Sequence, residues 1–309
     1  DPFCCTEKPA RPFVIMPQVE EEQGLLQERT DLDEMAEAID AQLLQQALKG
    51  LPLGALRFYA QTGSTNVDAA RWVDAGAPDL ALVVADEQTA GRGRQGRSWY
   101  TPPGAALAFS LALRSDPHRR LSQEAPAHLA RLTALGAVAV CQALDQLYGL
   151  PAQIKWPNDV LLHRRKVCGV LAEAYWQGEQ LIAAILGIGI NVSPASLPPN
   201  ETLIYPATCV EAVLGRQVSR LDLLRSVLEN LLRWRSRLDD PAFLYTWDGL
   251  LAFKGEEVAV FSGTQMTEPP EEEGLLLGLD ERGCLRLQLR NGEERALCSG
   301  ELRLRPLVS

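Results

Sequence analysis

Histidine is scarce in this sequence, and its cysteines follow no metal-binding spacing. The three histidines, His118, His128 and His163, are not spaced as pairs of metal ligands, and a His-based catalytic triad is not expected. The seven cysteines include no Cys-x-x-Cys pair. We therefore expect reduced thiols in a cytosolic protein, with neither a disulfide framework nor a zinc site.

The sequence also lacks a long apolar run. Its longest, Leu181 to Ile190, has about half the length that a membrane-spanning helix requires and predicts a buried strand instead. The first residues have neither the basic start nor the apolar core of a secretory signal. We expect a cytoplasmic protein with no membrane partner.

A broad basic surface is missing as well. The formal charge is −10 and the pI is about 5.0, which argues against a general nucleic-acid binder. The basic residues are instead concentrated in two short regions, where they can draw an anion into a site on an acidic body. These residues are Arg92, Arg94, Arg97, Arg164, Arg165 and Lys166.

The first of these regions, Gly91 to Trp99, alternates glycine with arginine and ends in an aromatic ring. Guanidinium groups bind carboxylates and phosphates through paired hydrogen bonds, and glycines let the backbone fold closely around such a ligand. Taken alone, the segment is equally typical of a solvated basic loop or of an Arg-Gly segment that touches RNA.

The second motif is Lys155-Trp156-Pro157-Asn158-Asp159, which carries an ammonium, an amide and a carboxylate on a predicted tight turn. Pro-Asn-Asp is common turn chemistry in any protein. The two motifs in one domain, however, predict a site for a nucleotide and a second anion.

Together these segments resemble the biotin–protein ligase family in order and spacing, from about Leu56 to about Pro306. The resemblance also includes Ser64-Thr65-Asn66, the segment Lys166 to Glu173, and Gly187-Ile188-Gly189-Ile190-Asn191-Val192. It implies ATP-dependent activation of biotin as biotinyl-5′-AMP and transfer to a lysine of a carrier domain. One departure is Ala105-Ala106, where the family usually has an asparagine near the preceding glycine.

The resemblance assigns four overlapping sets of site residues. Biotin is expected to contact Ser64, Thr65, Asn66, Gln88, Arg92, Gly93, Arg94, Lys166, Gly187 and Gly189. ATP is expected to contact Arg94, Arg97, Trp99, Lys155, Asn158, Asp159 and Asn191, with Trp99 on the adenine face. The candidate catalytic residues are Lys166, Arg94, Lys155 and Asp159, and Asn158 and Asp159 are weak candidates for holding the Mg²⁺ of Mg-ATP.

Simpler interpretations of the same residues remain open. The Ser64-Thr65-Asn66 triplet is typical of a helix cap, and the glycines Gly187 and Gly189 could mark a strand bulge instead of close ligand approach. Lys166 could belong to a solvated hairpin. Asp159 could be a proton acceptor or only the structural partner of Lys155.

The pattern of strands and helices predicts an α+β fold, with helices packed on one face of a mixed or antiparallel sheet. We expect residues 1–55 to form a lead-in with one helix from about Leu32 to Leu48, residues 56–252 to form the catalytic domain, and residues 253–309 to form a small β-barrel. The resemblance implies a class II synthetase-like catalytic domain and an SH3-like barrel. Some family members carry an N-terminal DNA-binding domain, for which residues 1–55 are too few and too acidic.

The expected partner is the biotin carboxyl carrier domain of a carboxylase, and a homodimer is possible. Two rival functions are a lipoate–protein ligase, which should lack the paired motifs, and a non-catalytic biotin-binding module, which would need no arginines for ATP.

Overall fold

A computed structural model describes residues 39–114, 125–178, 180–199, 205–261, 270–298 and 303–306. The residues from Ala38 onward form one compact unit. The N-terminal part of the predicted first helix lies outside the described residues. None of the described helices is both long and apolar enough to cross a membrane.

Seven strands form the larger sheet, in the order β1-β2-β3-β7-β6-β5-β4. Strands β1 and β2 are parallel and the other neighbours are antiparallel, so the sheet is mixed, as the sequence predicts. The strands are β1 (Ala55–Thr62), β2 (Ala81–Gln88), β3 (Ala106–Arg114), β4 (Gln153–Lys155), β5 (Asp159–Leu162), β6 (Arg165–Gln177) and β7 (Gln180–Asn191).

Six described α-helices accompany the sheets. They are α1 (Ala41–Ala47), α2 (Thr65–Asp74), α3 (Ala125–Tyr148), α4 (Val210–Leu214), α5 (Arg220–Arg235) and α6 (Pro241–Gly249). Short 3₁₀ turns span Arg94–Gly96 and Pro194–Ser196.

The two faces of the sheet have separate apolar layers. Leu82 and Val84 of β2 belong to the main core, which includes buried residues of α3 and α5. Their neighbours Ala81 and Val83 point to the opposite face, where Ala69 and other residues of α2 cover them. The two long helices therefore share one face, as expected, but α2 packs on the other. This placement puts the start of α2 beside Gln88 at the end of β2 and beside Gly187 of β7.

The C-terminal residues form a five-stranded antiparallel sheet, in the order β11-β10-β9-β8-β12. Its strands are β8 (Glu257–Phe261), β9 (Glu272–Leu279), β10 (Leu285–Leu289), β11 (Glu294–Leu297) and β12 (Arg303–Pro306). This small antiparallel sheet is consistent with the expected SH3-like domain. The boundary at residue 253 stays a prediction.

Cys284 and Cys298 form a disulfide in this sheet, so the expectation of reduced thiols is wrong for this pair. Leu285 of β10 pairs with Leu297 of β11. Cys284 and Cys298 are the neighbours of this pair on the side away from the turn, so the hairpin register places them opposite each other. The cysteines Cys141, Cys168 and Cys209 are free and buried. Cys4 and Cys5 lie outside the described residues.

Candidate active site

One cavity of about 650 Å³ contains residues of both motifs. The Gly91–Trp99 loop follows β2, and the Lys155–Asp159 turn joins β4 to β5, the two strands at the opposite edge of the sheet. The cavity walls include every site residue that the sequence predicts: Ser64, Thr65, Asn66, Gln88, Arg92, Gly93, Arg94, Arg97, Trp99, Lys155, Asn158, Asp159, Lys166, Gly187, Gly189 and Asn191. The fold thus brings together residues that lie up to 127 positions apart in the sequence.

The glycine-arginine loop folds back on itself. Arg92 and Ser98 form an antiparallel bridge. The backbone N–H of Gly93 donates to the carbonyl of Arg97 at 2.7 Å, and that of Trp99 donates to Gly91 at 2.8 Å. A Cβ at position 91 would lie 2.4 Å from the Trp99 carbonyl oxygen, so this close backbone approach requires glycine.

Arg94 connects the two motifs directly. Its Nη1 donates to Asn158 Oδ1 at 3.4 Å, and Asn158 Nδ2 donates to the carbonyl of Val170 at 3.1 Å. The loop and the turn therefore form one continuous wall of the cavity.

Asp159 lies between two lysines. Its Oδ1 is 2.6 Å from Lys166 Nζ, and its Oδ2 is 3.3 Å from Lys155 Nζ. Burial would raise the pKa of the Asp159 carboxyl, but the charges and hydrogen bonds of Lys166 and Lys155 together outweigh it and lower the pKa to about 2. The cluster keeps one net positive charge in a largely enclosed place. Lys155 also lies over the Tyr205 ring, 4.4 Å from its centroid.

These contacts weigh against the expectation that Asn158 and Asp159 hold Mg²⁺. Both oxygens of Asp159 face ammonium groups, and Asn158 Oδ1 faces a guanidinium. Within the described part of the chain, no three His, Cys, Asp or Glu side chains cluster as metal ligands. The residues present therefore do not fit a Mg²⁺ site held by the protein itself.

The opposite end of the cavity has a floor of uncharged polar side chains. Gln88 Oε1 accepts from the backbone N–H of Thr65 at 2.9 Å and from its hydroxyl at 3.2 Å, while Gln88 Nε2 donates to Thr101 Oγ1 at 3.0 Å. Ser64 occupies the N-cap position of α2, but its side chain makes no capping hydrogen bond. Helix capping alone therefore does not account for this buried hydroxyl.

The glycines of β6 and β7 make room for side chains. Strand β7 pairs without a register shift at Gly187 and Gly189, so neither glycine marks a bulge. A Cβ at position 187 would lie 2.1 Å from Asn66 Oδ1, and a Cβ at position 189 would lie 2.2 Å from Trp99 Nε1.

Trp99 accordingly packs on the sheet, against Gly189 and Gly169, with Lys166 Nζ 5.3 Å from its ring centroid. Its buried Nε1–H has no acceptor among the described residues. Stacking of this ring on adenine stays a prediction. The observed position places the ring against the glycines of β6 and β7, beside Lys166.

Three other expected ligand contacts have partners within the protein. Arg92 pairs with Glu173 at 3.1 Å. Arg97 donates to Gln95 Oε1 at 2.7 Å, and Asn191 Nδ2 donates to the carbonyl of Thr208 at 3.1 Å.

Two side chains at this site were missed by the sequence interpretation. Ser110 of β3 is fully buried and donates to Asn66 Oδ1 at 2.6 Å. Glu173 contacts Asn66 from the other side, Nδ2 to Oε2 at 2.8 Å. A serine within an otherwise apolar predicted strand was a usable signal for the first, because buried hydroxyls need partners. Glu173 gave none beyond its place at the end of a motif.

Comparison with known proteins agrees with this geometry. The model of the Biotin/lipoate A/B protein ligase family matches residues 59–191. A biotin–[acetyl-CoA-carboxylase] ligase of Paracoccus denitrificans is 34% identical over 238 residues, which cover 74% of this chain and 92% of that protein. The bifunctional ligase/repressor BirA of Bacillus spizizenii is 34% identical over 235 residues, covering 74% of this chain and 68% of that protein.

A solved structure of the same kind is also similar. It is the Aquifex aeolicus biotin protein ligase in complex with biotin and ATP, with 29% identity and a TM-score of 0.66. The match covers 82% of this chain and 99% of the other. Motifs, fold and relatives agree, and the chain belongs to the biotin–protein ligase family.

Proposed function

We propose that this protein activates biotin with ATP and transfers the biotinyl group to a lysine of a carrier domain of a carboxylase. The observation that carries the proposal is the single cavity, with a polar floor at one end and a Lys-Asp-Lys cluster at the other. The floor suits the neutral polar ring of biotin, and the cluster suits the site where two anions must meet.

In the first step, a biotin carboxylate oxygen attacks the α-phosphorus of ATP. A new P–O bond forms as the bond to pyrophosphate breaks, and no protein nucleophile is required. Because both reactants are anionic, positive charge must neutralise them where they meet. We assign this role to Lys166 with Arg94, and contact with the remaining phosphates to Lys155 and Arg97.

In the second step, the neutral amine of the carrier lysine attacks the acyl carbon. The new C–N bond forms as the bond between the acyl carbon and the AMP oxygen breaks, and the amine proton leaves to the released AMP phosphate or to solvent. A carboxyl with a pKa of about 2 is a weak proton acceptor near neutral pH. We therefore assign Asp159 to holding Lys155 and Lys166 in place, not to removing the amine proton.

Biotin-dependent exchange of pyrophosphate into ATP tests the first step. The protein should catalyse exchange with biotin and not with lipoate, and incubation with a carrier domain should add one biotinyl group to a lysine, measured by mass spectrometry. Exchange with lipoate alone would favour a lipoate ligase. Biotin binding without any exchange would favour a non-catalytic module.

The variant Lys166→Ala should slow exchange by roughly 100- to 1000-fold, as loss of one preorganised charge commonly does. The exposed Lys49 gives a matched control, since Lys49→Ala removes an equal charge outside the cavity. An exchange rate within tenfold of the parent would remove Lys166 from this role.

A further inference from the structure

Glu173 lies just beyond the cavity, on the strand face that forms its floor. Along β6, Gly169 pairs with Gly189, Leu171 with Gly187, and Glu173 with Ile185. Gly169 and Leu171 line the main cavity. Glu173, the next residue on that face, lines a smaller neighbouring cavity of about 240 Å³.

The two carboxylate oxygens of Glu173 hold two different parts of the main cavity. Oε1 is 3.1 Å from Arg92 Nη2, on the glycine-arginine loop. Oε2 accepts from Asn66 Nδ2 at 2.8 Å, on the first turn of α2. Both Arg92 and Asn66 line the two cavities, so this ion pair and hydrogen bond form the wall between them.

The contact with Asn66 fixes the orientation of a buried amide. Asn66 Oδ1 accepts from Ser110 Oγ at 2.6 Å, while Nδ2 donates to Glu173. Without Glu173, the remaining acceptor for Nδ2 among these contacts is the Leu171 carbonyl, at 3.5 Å. An ionised carboxylate can only accept, so it selects the orientation that turns Nδ2 towards it.

The contact with Arg92 is of a different kind. The Arg92 side chain is 53% exposed and that of Glu173 is 32% exposed, so solvent screens their attraction. The hydrogen bond to Asn66 is more enclosed, because Asn66 is only 6% exposed. The Asn66 contact is therefore expected to have the larger effect.

We propose that Glu173 is a positioning residue for biotin, which sets the amide orientation of Asn66 and anchors the start of the loop at Arg92. The proposal rests on the proposed function and on the expectation from the sequence that biotin contacts Asn66. It adds to that function a residue that raises the affinity for biotin without touching it, since Glu173 lines only the neighbouring cavity. The ATP side of the cavity depends on other contacts, those of Arg94, Asn158 and Asp159.

The test is to compare Glu173→Ala and Glu173→Gln with the parent in pyrophosphate exchange and in direct calorimetric titration with biotin. Glu173→Ala should raise the KM and Kd for biotin roughly 10- to 100-fold, the effect of losing a hydrogen bond to a charged group. The KM for ATP should stay within about threefold, since its contacts are retained. Glu173→Gln keeps one acceptor oxygen and should show a smaller rise.

A matched control is Glu229→Gln on α5. That carboxylate is also in an ion pair, with Arg225 at 2.9 Å, but it does not line the cavity. It should leave both KM values at the parental level.

A double-mutant cycle separates positioning from general loss of structure. In an Asn66→Ala background, Glu173→Ala should raise the biotin Kd by less than about threefold, because the amide it orients is gone. Unchanged biotin affinity in Glu173→Ala would overturn the proposal, as would equal losses for biotin and ATP with a large fall in Tm. If the unmutated protein bound biotin but catalysed no pyrophosphate exchange, the proposed function would be wrong. The role of Glu173 in biotin binding would still be tested by the calorimetric titration.

Discussion

At the residue scale, the chemistry of the site centres on Asp159 and its two lysines. Because Lys155 is only 8% exposed, it would be a costly buried charge without this carboxylate. The same contacts that hold Lys155 and Lys166 keep Asp159 ionised. The sequence left two roles open for Asp159, and the geometry favours the structural one.

This arrangement predicts a pH-dependent contribution to stability. Since the pKa of Asp159 is lowered from 3.8 to about 2, its stabilisation is fully present above pH 5 and is lost as the pH falls towards 2. The contribution is about 2 kcal/mol, and roughly half of it should remain at pH 3. Urea unfolding at several pH values should show the gap between parent and Asp159→Asn shrinking over this range.

Glu229→Gln, a change at an exposed ion pair, provides the baseline for that comparison. A gap between parent and Asp159→Asn that stays constant from pH 7 to pH 3 would contradict the lowered pKa.

At the element scale, β7 has glycines where the side chains of Asn66 and Trp99 lie against the strand. Its backbone is extended at Gly189, so alanine fits the strand itself, but the new Cβ would meet the Trp99 ring. We expect Gly189→Ala to keep the fold and to displace Trp99. Exchange activity should fall at least roughly tenfold, as expected when a residue that lines the site is moved by about 1 Å.

Two further variants test the reason for that loss. In Gly189→Ala, replacing Trp99 with leucine should relieve the clash with the new Cβ and recover part of the lost exchange activity. Gly249→Ala is the control, because a Cβ there meets nothing within 4 Å. Parental activity in Gly189→Ala alone would show that the ring can move at no cost.

The elements themselves were largely predictable, because apolar spacing and turn residues are local signals. The pairing of the two motifs was predictable from their chemistry, and Arg94 and Asn158 do meet. The role of Glu173 was not, since it depends on how α2 docks on β6 and β7, more than 100 residues further along the chain. The Cys284–Cys298 disulfide was not predictable from the Asn291-Gly292 turn, because a two-residue Asn-Gly loop would not place the two cysteines opposite each other. The observed pairing of Leu285 with Leu297 is shifted by one residue, and it does so.

At the scale of the whole molecule, the C-terminal sheet supports the turn that carries Lys155 and Asp159. Trp156 is 2% exposed, and its Nε1 donates to the carbonyl of Gly283 at 3.3 Å. Gly283 lies in the turn between β9 and β10, beside the disulfide, and has a φ of 82°. A Cβ there would lie 2.4 Å from the Trp247 ring. The turn can approach the catalytic domain this closely only with glycine.

We therefore expect Trp156→Phe to weaken the contact between this turn and the C-terminal sheet, and so to hold Lys155 and Asn158 less firmly in the site. The phenyl ring keeps most of the apolar contact but leaves the buried Gly283 carbonyl without its donor, at a cost of about 1 to 3 kcal/mol. The Tm should fall by several degrees, given about 2 to 4 °C per kcal/mol for a chain of this size. The KM for ATP should rise more than that for biotin, because the turn carries Lys155 and Asn158. Trp176→Phe is the matched control, since Trp176 is 40% exposed and lies outside this contact. Equal Tm values for the two variants would refute the support role, and an unchanged KM for ATP would limit it to stability.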